Sequence, residues 1–399
     1  MVAAAAVGIV VAISRGNREP GRRWLQAATI LVVALAFRVS LSVVVDGSPS
    51  DIFHAFRFVG DRLRQGGDIF VPPWIGLSNY PPLIYWWWAT AASIVSTGHD
   101  HLFAAVVRAP FWSLDAAIAP TLALLRRDSV GVRAGWIYAL NPVAAAVPTL
   151  HGQFDPVVAL PLLLATATVG SRPLRGGLLV GLAAAAKPWP LYFALPVLAL
   201  VPKNRRWATV ATMAVAPALA FAIYGVVHPA HLGLGILRVA IYVSHWQGLG
   251  MGFLIPDHAA VPILVAADLV AAIGTLGAGF LMARRGASAA EVVGVSALVL
   301  ITLAPGVSDQ YMAWPLAFLL LAGRLRGVAA VTAGVLPAII WIDLWFSQNQ
   351  GSPMPVIYFV STLSTGLLAA WILLESGRQR TPKARKQQIH RLISEAAPR

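Results

Sequence analysis

A repeating alternation restricts this chain more than any other feature. Apolar stretches, several of them about 20 residues long, are separated by short clusters of arginine and lysine. Trp24 to Val45, Trp207 to Val227, Val261 to Met282 and Val356 to Leu374 are the clearest. A stretch of that length crosses a bilayer as a helix, because only a helix satisfies its own backbone in hydrocarbon. A β-barrel is excluded, since its strands are short and alternate in polarity. Only 12% of the residues are charged and 58% are hydrophobic, against about 25% charged in a soluble domain. The fold class is therefore all-α, a polytopic integral membrane protein with roughly 10–13 transmembrane or re-entrant helices.

The charge pattern orients those helices. Net charge is +14, which in a soluble chain points to nucleic acid. Here the basic residues gather between apolar stretches, at 15–23, 126–133, 171–176, 202–206, 283–286 and 323–327 and in the tail 375–391. That is the positive-inside pattern, so these clusters face the cytoplasm and no nucleic-acid partner is expected. The nearly uncharged connections 46–80, 149–156, around 187, 228–260, 304–311 and 346–354 then share the outer face. Residues 83–125 have room for two helices but make one net crossing, as a full span plus a short or re-entrant helix; the alternative puts 126–133 outside. Segments 177–186 and 191–201 are short for a crossing and fit helices that end early around an outer-leaflet cavity. Residues 1–14 read as a marginal span or interfacial segment rather than a cleaved signal. Residues 1–375 form one transmembrane domain with its functional outer loop at 46–80, and 376–399 form a basic cytoplasmic tail. With no cysteine, thiol chemistry and disulfides are excluded.

The loop 46–80 is the densest in chemistry. Ile52, Phe56, Val59 and Leu63 form one helical stripe and His54, Arg57, Asp61 and Arg64 another, the pattern of a helix lying on the bilayer surface. Gly66-Gly67 ends it, and Pro72-Pro73 and Pro81-Pro82 keep the chain extended up to the aromatic re-entry Tyr85-Trp86-Trp87-Trp88. Asp51 is the leading catalytic candidate, because a carboxylate just past a span can take a proton from a hydroxyl. It also reads as a helix cap.

Substrate-binding candidates lie in the other outer loops. His151, Gln153 and Asp155 in HGQFDP suit hydroxyl-rich ligands, or cap the helices on either side. Lys187 follows four alanines, where a cation is costly unless paired or wet; it holds a phosphate or snorkels to headgroups. Arg57 is a similar cation, or part of a solvated helix face. Tyr80 at the Tyr-Pro-Pro re-entry, His245 in SHWQ, and Asp309, Gln310 and Tyr311 in SDQY complete the set. Asp115, alone in an apolar run, is expected to pair with Arg108. The 14 tryptophans read mostly as interface anchors. His99-Asp100-His101 lacks a third partner for a metal, and no P-loop, dinucleotide fingerprint or nucleophile elbow is present.

The order of motifs carries a resemblance. Asp51, YPPL (80–83), HGQFDP (151–156), GLLVGLAAAAKPWPL (177–191) and P-x-x-S-D-Q-Y-x-x-W-x-L (305–316) resemble the GT-C superfamily. Within it they are most similar to actinobacterial polyprenyl-phosphate-mannose-dependent α-mannosyltransferases, over roughly residues 24–320. The resemblance implies Asp51 as general base, Gln153 and Asp155 in a Gly-Gln turn, and Lys187 in a Lys-Pro element. It places Gln310 where those mannosyltransferases carry histidine, and Asp155 where some relatives carry asparagine. The implied activity is inverting transfer of a sugar, mannose by this resemblance, from a polyprenyl phosphate to a glycan or glycolipid acceptor at the outer face. The implied partners are those substrates and the membrane lipids, with no cofactor and no metal. A secondary transporter or glycan flippase is the alternative, but it calls for internal repeats and charges near the midplane. A third reading, a scaffold for a cell-wall complex, leaves Asp51 dispensable.

Overall fold

The computed structural model describes residues 20–44, 52–71, 80–126, 128–240, 261–306, 309–340 and 355–378. Asp51, His245, the segment 1–14 and the tail beyond Arg378 lie outside them.

The chain is helical, with no strand among the described residues. It runs through α1 (Pro20–Val44), a π-turn (Ile52–Phe56) into α2 (Arg57–Arg64), α3 (Pro82–Ile94), α4 (Asp100–Leu125), α5 (Ser129–Ala139) and α6 (Pro142–Ala146). It continues through α7 (Asp155–Thr168), α8 (Pro173–Ala186), α9 (Pro190–Leu198), α10 (Arg206–Val227), α11 (Leu232–Ala240) and α12 (Val261–Arg284). It closes with α13 (Ala289–Leu303), α14 (Trp314–Leu321), α15 (Leu325–Ile340) and α16 (Pro355–Arg378). Among the described residues, five helices are long and apolar enough to cross a bilayer: α1, α4, α10, α12 and α16. This is a polytopic helical membrane protein. Residues 83–125 resolve into a 13-residue helix, α3, and a 26-residue span, α4.

Short helices end where the sequence stops them. Asn141 caps α6 by accepting from the Ala144 N–H, and Pro142 takes the first helical position, where no N–H is needed. Gly66 closes α2 in a left-handed conformation, φ 75°. There the Gly67 N–H reaches back to the Arg62 carbonyl at 2.9 Å, a Schellman ending. The apolar stripe of the 52–64 helix packs inward as its spacing requires: Ile52, Phe56 and Val59 are buried, and Phe56 stacks on Trp88 at 4.0 Å between ring centroids. Its polar stripe is only partly solvated: Arg64 is exposed and Arg57 is not. Arg57 is buried, donating to Asp61 Oδ2 at 2.9 Å and to the Val95 carbonyl, with its guanidinium 4.7 Å from the Phe103 ring centroid.

The basic connections meet one another. Arg126 donates to the Leu321 carbonyl, Arg324 to Glu291 and Glu375, and Arg285 to the Leu373 carbonyl and Ser376. Residues 126–133 therefore sit at the same end of the bundle as 283–291, 321–327 and 373–376. The end of α8 and the starts of α7 and α14 converge elsewhere, around Lys187.

Asp115 does not pair with Arg108. It binds Arg38 of α1, Nε to Oδ2 at 2.5 Å, and accepts from the Tyr138 hydroxyl at 2.6 Å. Arg38 also donates to the Ala139 carbonyl at 2.7 Å. Arg108 turns instead to the Thr149 carbonyl at 2.9 Å and packs over Trp112. The reason is steric: seven residues of one helix span two turns, about 10 Å of rise, whereas α1 passes directly beside α4. Breaking a buried pair leaves an uncompensated charge, so Asp115→Leu or Arg38→Leu is expected to cost about 3–5 kcal/mol. The double variant, with neither charge, is expected to recover most of that. Thermal unfolding in detergent checks this, and equal losses in single and double variants would contradict it.

Candidate functional site

Three segments distant in sequence place three polar side chains together. Lys187 is the residue after α8, and Pro188 holds it extended (φ −140°, ψ 142°), because the residue before a proline is excluded from the helical region. Asp155 opens α7, with Pro156 in the position where a proline starts a helix without losing a bond. Gln310 lies in the 3-10 turn Asp309–Ala313 that leads into α14. Lys187 Nζ donates to Asp155 Oδ2 at 2.9 Å and to Gln310 Oε1 at 3.4 Å. The second oxygen of Asp155 accepts from Trp314 Nε1 at 2.7 Å.

All three side chains are buried, Lys187 to 1% exposure, Asp155 to 3% and Gln310 to 5%. A buried ion pair survives only with good geometry and added hydrogen bonds, and this one has both. The helix ends help: Asp155 sits at the positive end of α7 and Lys187 at the negative end of α8. Aromatic faces enclose the ammonium, with ring centroids of Phe154, Tyr80 and Tyr311 at 4.5, 5.4 and 5.5 Å. Trp189 stacks on Trp314 at 3.7 Å. These two tryptophans are buried and belong to the site, unlike Trp24 and Trp207, which are exposed as interface anchors are.

Lys187 forms part of the wall of a cavity of about 490 Å³, shared with Tyr80, Trp189, Tyr192, Asp268, Tyr311 and Trp314. Lys187 is thus the member of the ion pair that bounds the cavity, and Asp155 is not among the bounding residues. A larger apolar groove of about 750 Å³, bounded by Leu191, Leu195, Met213, Phe221 and Ile236, shares Leu191 and Leu195 with it.

Other predicted residues fall at varied distances from this centre. Gln153 is buried in the left-handed turn at Gly152 (φ 73°), its N–H bonded to the Val147 carbonyl. His151 is half-buried just before it. Arg57 lies under the 52–64 helix and is not part of the cavity wall. For Asp309 only the backbone is described. Among the described residues, no three His, Asp or Glu side chains group as a metal site would require. Sequence reasoning missed Trp314 as the second partner of Asp155, although it stands in the SDQY motif, and it missed Asp268 of α12. A lone carboxylate in a span was the available signal.

A second polar cluster ties the segment 66–71 to the bundle. Asp68 accepts from the Tyr224 hydroxyl at 2.6 Å, the Phe70 N–H at 2.9 Å and His231 Nδ1 at 2.9 Å. Burial raises the Asp68 carboxyl, but those hydrogen bonds, Tyr224 first, outweigh it and hold the group below 3.8. A carboxyl depressed on folding adds stability that is complete above the unfolded value and is lost as pH falls through the folded one. The tie is thus expected to be whole at neutral pH and to weaken below about 3.8. Hydrogen exchange at 66–71, corrected for intrinsic rates, should accelerate in acid, and Asp68→Ala should show the faster exchange already at pH 7. An Asp68→Ala loop as protected as wild type at pH 7 would contradict this.

The model of glycosyltransferase family 87 matches residues 72–305 of this chain, more than half its length. The chain belongs to glycosyltransferase family 87. No curated protein matches it. Family 87 is a membrane family of GT-C type, so this family 87 protein is a membrane glycosyltransferase, acting on a sugar donor and a glycan acceptor at a bilayer. The matched span includes Tyr80, the HGQFDP turn and Lys187, and ends beside the turn that bears Gln310.

Proposed function

We propose that this family 87 glycosyltransferase moves a sugar, mannose by its motif resemblance, from a polyprenyl phosphate to a lipid-linked or cell-envelope glycan. The work is done at the outer face of the cell membrane, with the basic tail in the cytoplasm. The observation that carries the reading is Lys187, held by Asp155 and Gln310 in the wall of a cavity large enough for a sugar. The adjoining apolar groove suits a donor with a long hydrocarbon tail.

The reaction is a single displacement. Asp51 takes the proton of the acceptor hydroxyl, whose oxygen attacks the anomeric carbon from the face opposite the phosphate. The bond from that carbon to the phosphate oxygen breaks, and polyprenyl phosphate leaves with both electrons. That leaving group is already anionic, so it needs a facing positive charge more than a proton, and Lys187 supplies it. The chemistry assigns no step to a metal.

The test is transfer of radiolabelled mannose from polyprenyl-phosphate mannose by membranes expressing the protein, with glucose and arabinose donors in parallel. Product labelled only from mannose supports the reading in full. Labelling from another sugar replaces mannose, and labelling from a nucleotide sugar but from no lipid phosphate overturns the donor.

A further inference from the structure

Asp268 is the acidic residue of α12 that no part of this mechanism uses. It lies seven residues into a span with no other charged residue before Arg284, where a carboxylate is costly unless it faces a partner or a wet cavity. It lines the 490 Å³ cavity that Lys187 also lines. Among the described residues, no donor reaches its Oδ2, although that atom is buried. A buried acceptor without a donor is a binding feature waiting for one.

The cavity therefore carries two opposite demands. Lys187 offers positive charge, and Asp268 offers only acceptor oxygens. A bare lipid phosphate answers the first and is repelled by the second. A phosphate that carries a sugar answers both, because its hydroxyls are donors. Tyr80, Tyr192, Tyr311 and Trp189 line the same wall, and aromatic side chains are the usual apolar partners of a pyranose ring.

We propose that Asp268 is a sugar-binding residue, accepting hydrogen bonds from hydroxyls of the sugar carried on the lipid phosphate that Lys187 faces. The inference rests on the donor class named above. It gives Asp268 a part in choosing the sugar, which Lys187 cannot discriminate.

The test compares wild type and Asp268→Asn, purified in lipid nanodiscs. Quenching of tryptophan emission reports binding of polyprenyl phosphate and of polyprenyl-phosphate mannose, glucose and arabinose. Wild type is expected to bind one sugar-bearing lipid about tenfold more tightly than the bare lipid, the scale of one charge-assisted hydrogen bond. Asp268→Asn is expected to lose most of that increment while binding the bare lipid at least as tightly as wild type does. Undiminished bare-lipid binding certifies the fold; should Asp268→Asn fail it, Asp268→Ser takes its place. A variant that keeps the sugar increment overturns the proposal, as does a wild type with no increment for any of the three. Transfer measured in the same discs separates the two readings. An increment that depends on Asp268 without transfer upholds the binding site and removes the donor role, whereas transfer with an unchanged increment removes Asp268 alone.

Discussion

Lys187→Met is expected to lose both stability and sugar transfer, for separable reasons. Methionine keeps the volume of the side chain but removes the ammonium. Asp155, 3% exposed, then keeps Trp314 but loses its counter-charge. Removing one partner of a buried pair costs about 3–5 kcal/mol, which should appear as a large fall in the thermal midpoint in detergent. Lys187→Met/Asp155→Leu has no stranded carboxylate and should recover most of the midpoint. Transfer should not return with it, because the cavity wall has lost the charge proposed to stabilise the leaving phosphate. Transfer by the double variant at the wild-type rate would reduce Lys187 to a structural residue.

Asp51→Asn is expected to show the opposite separation, with the midpoint unchanged and transfer lower by about 10²- to 10⁴-fold, the range for loss of a positioned general base. The π-turn that starts at the next residue is anchored firmly. Ile52 is fully buried, and Phe56 stacks on Trp88 and meets Phe154 edge-on at 6.2 Å. Phe154 in turn covers Lys187. The chain leaving Asp51 is thus packed onto the aromatic cluster that flanks the cation. Asparagine keeps the size and capping ability of aspartate and removes only its basicity. Equal transfer by wild type and variant would dismiss Asp51 as base and direct attention to Asp155.

The motifs in HGQFDP, KPWP and SDQY each supplied one member of the buried cluster, and each was readable because a proline or glycine marks a break in an apolar run. Whether those side chains contact sugar or cap helices was undecided at that level, since a capping aspartate and a binding aspartate look alike in sequence. Arg38 shows the limit from the other side. A lone arginine in a span announces a partner, but its partner, Asp115, is 77 residues away. The expected pairing of Asp115 with Arg108 followed local spacing and failed because the nearer neighbour belonged to another helix. Arg57 is a similar case: its helix is two-faced by period, but Arg57 itself is buried between Asp61, the Val95 carbonyl and the Phe103 ring, whereas Arg64 on the same stripe is exposed.

The sequence by itself determined the membrane class, the helical fold and the division of loops into basic and nearly uncharged sets, because the bilayer acts on length and charge, which are local properties. Only the tertiary structure decided that Lys187, Asp155 and Gln310 form one buried group, that Arg38 answers Asp115, and that Asp268 opens onto the same cavity as Lys187. Those are distances between helices, set by how side chains interlock across the bundle, and no spacing along one strand of sequence contains them.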